Sequence, residues 1–156
     1  MEDFDAIYAR WRTPVWQFLR RQVGDATRAD DLLQAVFIKV FRSLDGFRGE
    51  SSVKTWLFTI AHRCVIDERR GAKAEHVELP DLPAPEPLDC GDAVEAVKRA
   101  LDALPPPHKA LFLLVRFHGL SIAEAGGVVG LTPGSAKVTL LRVQRRLGEI
   151  LGRVNA

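Results

Sequence analysis

Apolar residues recur along this chain at helical spacing and nowhere alternate with polar ones over the length of a strand. Phe4, Ile7, Tyr8 and Trp11 follow an i, i+3, i+4, i+7 pattern, and Val15, Phe18 and Leu19 continue it. Pro14 stands between the two groups and predicts a kink or break, because proline lacks an N–H and crowds the preceding turn. Gly24-Asp25 predicts a stop. Thr27, with Asp30 three residues on, resembles a capping box. Leu33, Phe37, Val40, Phe41 and Leu44 then form the apolar stripe of a second helix, ending near Gly46. Residues 47–51 read as a loop. Ser51 or Ser52 can cap a third helix over about 53–70, with Trp56, Leu57, Ile60 and Val65 inward. No hairpin dipeptide joins strand-like runs, so strands are not expected.

Pro80, Pro83, Pro85 and Pro87 fall among Glu78, Asp81, Glu86 and Asp89 and predict an extended linker over residues 74–91. The expected architecture is all-α, with two small helical domains at 1–73 and 92–156. In the second domain a helix over 93–104 is closed by Pro105-Pro106-Pro107, and another runs from about His108 to His118, with Gly119 as its stop. Ser121 and Glu124 have capping-box spacing for a short helix reaching about Val129. Gly130-Leu131-Thr132 reads as a tight turn. Thr132 can cap a last helix to about Leu151, with Pro133 at its first position, where a missing N–H does no harm.

Composition narrows the function classes. The chain has 156 residues, 47% apolar and 27% charged, as in folded soluble proteins. No run approaches the roughly 18 apolar residues of a membrane span, and the acidic start Met1-Glu2-Asp3 does not suit a secretory signal. Two cysteines make no disulfide framework and suit a reducing compartment, so a cytoplasmic location is expected. Charge is unevenly placed. Residues 1–76 carry 13 Lys/Arg against 11 Asp/Glu, residues 77–100 carry 2 against 6, and residues 101–156 carry 7 against 3. A basic C-terminal piece behind an acidic connector fits a polyanion-binding module on a tether, although charge alone favours ordinary surface charge.

Three segments could carry chemistry. A short helix, a glycine turn and a longer basic helix have the arithmetic of a helix-turn-helix, whose second helix enters the major groove. Its first turns offer Ser135, Lys137 and Thr139, then Arg142, Arg145 and Arg146. Gly126-Gly127 inside the short helix weakens the unit, at roughly 1 kcal/mol per glycine, and Val138 and Leu141 add apolar surface that is either buried or turned to a partner. The loop Phe47-Arg48-Gly49-Glu50-Ser51-Ser52, with Trp56, His62 and Arg63 beyond it, could grip single-stranded DNA, although Phe47 and Trp56 also suit a core. Asp30 and Asp31 diverge by about 100° on a helix and so chelate one ion poorly; with the wide stripe behind them they suit a protein-docking face. His62 and Cys64 lack the further ligands of a zinc site, and no catalytic or cofactor fingerprint is present. No cofactor, no metal and no enzymatic activity are expected.

At these residues the chain resembles the extracytoplasmic-function group of bacterial sigma factors. Asp30-Asp31-Leu32-Leu33-Gln34-Ala35-Val36-Phe37 resembles the region-two helix that docks on the β′ clamp helices of RNA polymerase. Phe47-Arg48-Gly49-Glu50-Ser51, then Thr55-Trp56-Leu57 and Ile60-Ala61, resemble the minus-ten recognition and melting segment. Leu104-Pro105, Gly119-Leu120-Ser121, Glu124, Gly130 and Gly134-Ser135-Ala136-Lys137 resemble the region-four helix-turn-helix that reads the minus-thirty-five element. The resemblance implies an initiation factor that binds core polymerase through the β′ clamp helices and the β flap, melts promoter DNA and is restrained by an anti-sigma factor. It implies Asp31, Gln34, Phe37 and Phe41 for the polymerase; Arg48, Ser51, Ser52, Trp56, His62 and Arg63 for the minus-ten strand; and Ser135, Lys137, Thr139, Arg142 and Arg146 for the minus-thirty-five duplex. The chain departs from the family pattern at Arg63 in place of asparagine, at Val138-Thr139 in place of a Ser-Arg pair, at Gln144 in place of arginine, and at Gly126-Gly127 in place of better helix formers. The competing readings are a stand-alone helix-turn-helix regulator and a sigma mimic that only binds protein.

Overall fold

A computed structural model describes residues 3–75 and 93–154. Helices α1 (Phe4–Val23), α2 (Ala26–Ser43) and α3 (Val53–Glu75) form one group, with a 3-10 turn at Leu44–Gly46. Helices α4 (Ala93–Asp102), α5 (Pro106–Arg116), α6 (Ile122–Val129) and α7 (Pro133–Val154) form the second. There are no strands among the described residues. The expected linker starts inside α3, which stays helical to Glu75, and its remainder lies outside the described residues.

Capping and packing set the elements. Asp3 accepts from Ala6 N–H to start α1, and Asp25 accepts from Arg28 N–H at 3.1 Å to start α2. The α2 cap is therefore Asp25, not Thr27. Asp30 is left free of any capping duty and accepts instead from the Trp16 indole at 2.8 Å, tying α2 to α1. The expected break at Pro14 is also corrected, because α1 runs through it as one helix. Ile7 before the proline and Val15, Phe18 and Leu19 after it are all buried, and that shared burial outweighs a penalty of about 3 kcal/mol. Ser52 caps α3 by accepting from Thr55 N–H at 3.1 Å. Arg28 pairs with Glu68, and Arg69 donates to the Gln22 carbonyl at 2.8 Å, so α3 is fastened to both other helices of its group.

In the second group the three prolines do not merely end α4. Pro106 and Pro107 occupy the first turn of α5, where their missing N–H groups leave no bond unmade. Lys109 is buried and finds its charge partner in Asp102 at 2.6 Å. Leu101 of α4 packs on Val143 and Leu147 of α7. Ser121 and Glu124 close a full capping box at the start of α6, and Thr132 accepts from Ser135 N–H to start α7. Gly130 ends α6 at φ +82°, and its N–H and that of Leu131 both turn back to the Gly126 carbonyl. Gly126 itself corrects the expectation that both glycines weaken the unit. A Cβ there would stand 3.0 Å from the Ala136 Cβ and 3.1 Å from the Leu131 carbonyl oxygen, so its bareness lets α7 approach α6. A Cβ on Gly127 would meet nothing within 4 Å.

The two groups share a core. Phe18 of α1 meets Phe58 of α3 edge-on at 5.3 Å, and the buried His118 ring lies 4.8 Å from Phe58 and 5.7 Å from Phe18. Leu111, Leu113, Leu114 and Leu120 complete this cluster from the second group. At its rim the Arg21 guanidinium covers the Phe117 ring at 4.4 Å, and the Thr55 hydroxyl donates to the Glu124 carboxylate at 3.1 Å.

Candidate nucleic-acid and protein interfaces

The exposed side of α2 carries Asp31, Gln34, Ile38 and Phe41 at i, i+3, i+7 and i+10, so they form one stripe. Phe41 is 66% exposed and Ile38 51%, which is unusual for large apolar groups in a helix with a well-filled buried face. Phe37 differs from the other three residues expected here. It is buried, and its ring is met edge-on by Tyr8 at 5.0 Å and by Phe4 at 6.3 Å. Phe4 also meets Phe41 edge-on at 5.3 Å. Phe37 thus supports the face from beneath, and Ile38, absent from the sequence-derived set, belongs to it. An apolar strip with a carboxylate at one end is suited to docking protein rather than nucleic acid.

A cleft of about 380 Å³ opens beside the start of α3, lined by Arg42, Phe47, Arg48, Glu50, Ser51 and Trp56 among others. Trp56 is half-buried and stacks on Phe47 with centroids 4.5 Å apart and planes 25° from parallel. The indole therefore forms a wall of the cleft, intermediate between the core role and the stacking role that its sequence context allowed. Arg48, Ser51, Ser52 and Arg63 are exposed. Arg63 lies seven residues after Trp56, hence on the same side of α3 about 10 Å further along. His62 does not join them. It is 5% exposed, and its Nδ1 has no hydrogen-bond partner. Burial, with a smaller contribution from Arg69, lowers its pKa to about 4, so at neutral pH it holds no charge to offer a phosphate. The cleft combines cations, hydroxyls and an aromatic wall, the chemistry of a single-strand site.

On α7, Ala136, Leu140, Val143 and Leu147 form the buried stripe. Ser135, Lys137, Arg142 and Arg146 are exposed, whereas Thr139 is half-buried at the edge of the packed face. Val138 and Leu141, set aside in the sequence as apolar surface of unknown direction, are 49% and 54% exposed. Gln144 has a task within the fold: with its amide oxygen toward α5 it accepts from the Arg116 guanidinium, including Nε at 2.9 Å. The N-terminal turns of α7 thus present a cationic surface with an apolar centre. Among the described residues there is no group of acidic, histidine or cysteine side chains able to hold a metal, and no helix is long and apolar enough to cross a membrane.

Comparison with known proteins matches residues 7–75 to Sigma-70 region 2 and residues 94–147 to Sigma-70, region 4. The chain is 31% identical over 159 residues to the RNA polymerase sigma factor CarQ of Myxococcus xanthus, covering 97% of this chain and 90% of the relative. It is 30% identical over 154 residues to the ECF RNA polymerase sigma factor SigM of Mycobacterium tuberculosis, covering 97% and 79%. Two of the solved structures that share the fold are complexes with a partner. One is the sigma factor RpoE in complex with the anti-sigma factor NepR from Bartonella quintana, with TM-score 0.78, 23% identity and coverage of 97% and 98%. The other is CnrH in complex with the cytosolic domain of CnrY, with TM-score 0.71, 24% identity and coverage of 96% and 87%.

Proposed function

The chain belongs to the sigma-70 family of RNA polymerase initiation factors, within its extracytoplasmic-function group, and from that premise we propose how its surfaces divide the work. Sigma factors act by binding and not by covalent catalysis, so each step is carried by contact energy. Asp31, Gln34, Ile38 and Phe41 dock on core polymerase, with Phe37 setting the position of Phe41. Arg48, Ser51, Ser52 and Arg63 hold the minus-ten strand, and a flipped base enters the cleft beside Trp56. Unstacking that base costs a few kcal/mol, which stacking and edge contacts in the cleft offset. Ser135, Lys137, Arg142 and Arg146 hold the minus-thirty-five duplex, with Thr139 at the margin. The domains assigned to these tasks are 1–73 and 92–156. The protein works in the cytoplasm, and an anti-sigma factor restrains it by covering the polymerase-binding faces.

The observation that carries this reading is the exposed stripe of α2, whose Phe41 is 66% exposed on an aromatic base built from α1. A stand-alone helix-turn-helix regulator needs no such face, and a sigma mimic needs no strand-binding cleft. Run-off transcription tests it: the purified chain and bacterial core polymerase are supplied with promoter fragments from the host, with core alone as the control. Transcripts that depend on the chain are expected, with start sites that align on two shared upstream elements. Stable core binding without transcripts would favour the mimic. No core binding at all would favour the stand-alone regulator.

A further inference from the structure

We propose that Val138 sets base preference at the upstream promoter element by packing on the 5-methyl group of a thymine in the major groove. The proposal rests on the reading of α7 as the duplex-facing helix. The buried stripe of α7 is centred near Ala136, Leu140, Val143 and Leu147. Val138 is two residues beyond Ala136, about 200° around the helix, and so stands at the middle of the outward side. It is the sixth residue of a helix that begins at Pro133, within the turns that face base edges in a helix-turn-helix. Ser135 and Arg142 flank it on one side and Lys137 on the other, all exposed.

Exposure of one valine is ordinary, but its position and chemistry are informative. Valine has no side-chain donor or acceptor, so at the centre of this face it can neither bond a base edge nor neutralise a phosphate. The feature of a base edge that it does fit is the thymine methyl group, displayed only in the major groove. Its branched side chain holds one χ1 well in a helix, so the two methyl groups are held in place before binding. The cations around it argue for a polyanion over a protein as the occupant, since no acidic residue lies on α7 before Glu149. Leu141, 54% exposed one turn further on, extends the apolar strip along the groove.

The test uses holoenzyme assembled from the full chain. Duplexes carrying a randomised upstream element are selected for binding, and each thymine in the selected element is then replaced by deoxyuridine, which removes only the methyl group. At one thymine, deoxyuridine should weaken binding about fourfold, as expected for one methyl group returned to water. Val138→Ala holoenzyme should bind the thymine and deoxyuridine duplexes equally. The proposal is overturned if no thymine is selected, if no deoxyuridine substitution matters, or if Val138→Ala keeps the discrimination. The Lys137→Ala/Arg142→Ala double variant separates the two levels. If it binds the selected duplex like the wild type, the reading of α7 itself fails. If it binds more weakly while the methyl effect ignores Val138, only this proposal fails.

Discussion

The His118 ring is enclosed between Phe18 and Phe58 where the two helix groups meet, so lowering the pH should loosen that junction. Burial is the main reason its pKa is lowered to about 4, and the charges of Arg21 and Lys54 add to it. Its Nε2 is buried without a partner, so no bond compensates a proton there. The unfolded chain takes up this proton near pH 6.5, and the folded chain only near pH 4. Between those values the unfolded state holds more protons. The stability due to neutral His118 is therefore complete above pH 6.5 and falls as the pH drops, by about 1.4 kcal/mol per unit. From pH 6.5 to 5 this costs about 2 kcal/mol. His62, also lowered to about 4, adds a similar loss, giving about 4 kcal/mol in a domain whose total is on the order of 5–15. Glu124 shifts the other way, held low by its bonds to Ser121 and Thr55, and loses its contribution only at pH values below this window. Urea unfolding followed by circular dichroism from pH 7.5 to 5 measures the slope. Replacing His118 with Phe, and separately with Leu, should roughly halve it. Slopes in both variants parallel to the wild type would refute the argument, whatever their absolute stabilities.

Gly127→Ala should stabilise the protein by up to about 1 kcal/mol, because it adds helix propensity and meets open space. Gly126→Ala should destabilise it, because the added methyl group must push α7 away; thermal unfolding of the pair reads the opposite signs. Phe41→Ser should weaken binding to core polymerase at least tenfold with little loss of stability, since the ring is largely exposed; a binding titration beside a melting curve separates the two. Lys137→Ala/Arg142→Ala should reduce the slope of log binding constant against log salt by about two for the upstream element, one for each phosphate no longer neutralised. An unchanged slope would remove both residues from the phosphate-facing set.

How much of this was legible in the sequence depended on whether a signal was local. The α6–α7 unit was readable because its controls lie within three residues of their targets: Ser121 with Glu124, Thr132 with Ser135, and Gly130 at the turn. The errors arose where a distant partner decided. Pro14 does not break α1, because residues on both sides of it are buried against other helices. Asp30 does not complete a cap, because Asp25 takes the start of α2, and Asp30 instead meets the Trp16 indole fourteen residues away. Periodicity put Phe37 and Phe41 on one stripe, but only the packing of Phe4 and Tyr8 shows that one is buried and the other left outside. His62 looked like a strand contact from its neighbours Arg63 and Trp56, yet it lies on the side of α3 shared with Thr55 and Phe58, which faces the second helix group. The same geometry turns Trp56 and Arg63 about 100° away from it. His118 is therefore buried where the two helix groups meet, whereas the cleft beside Trp56 stays open, so acid should weaken the junction without first altering the cleft.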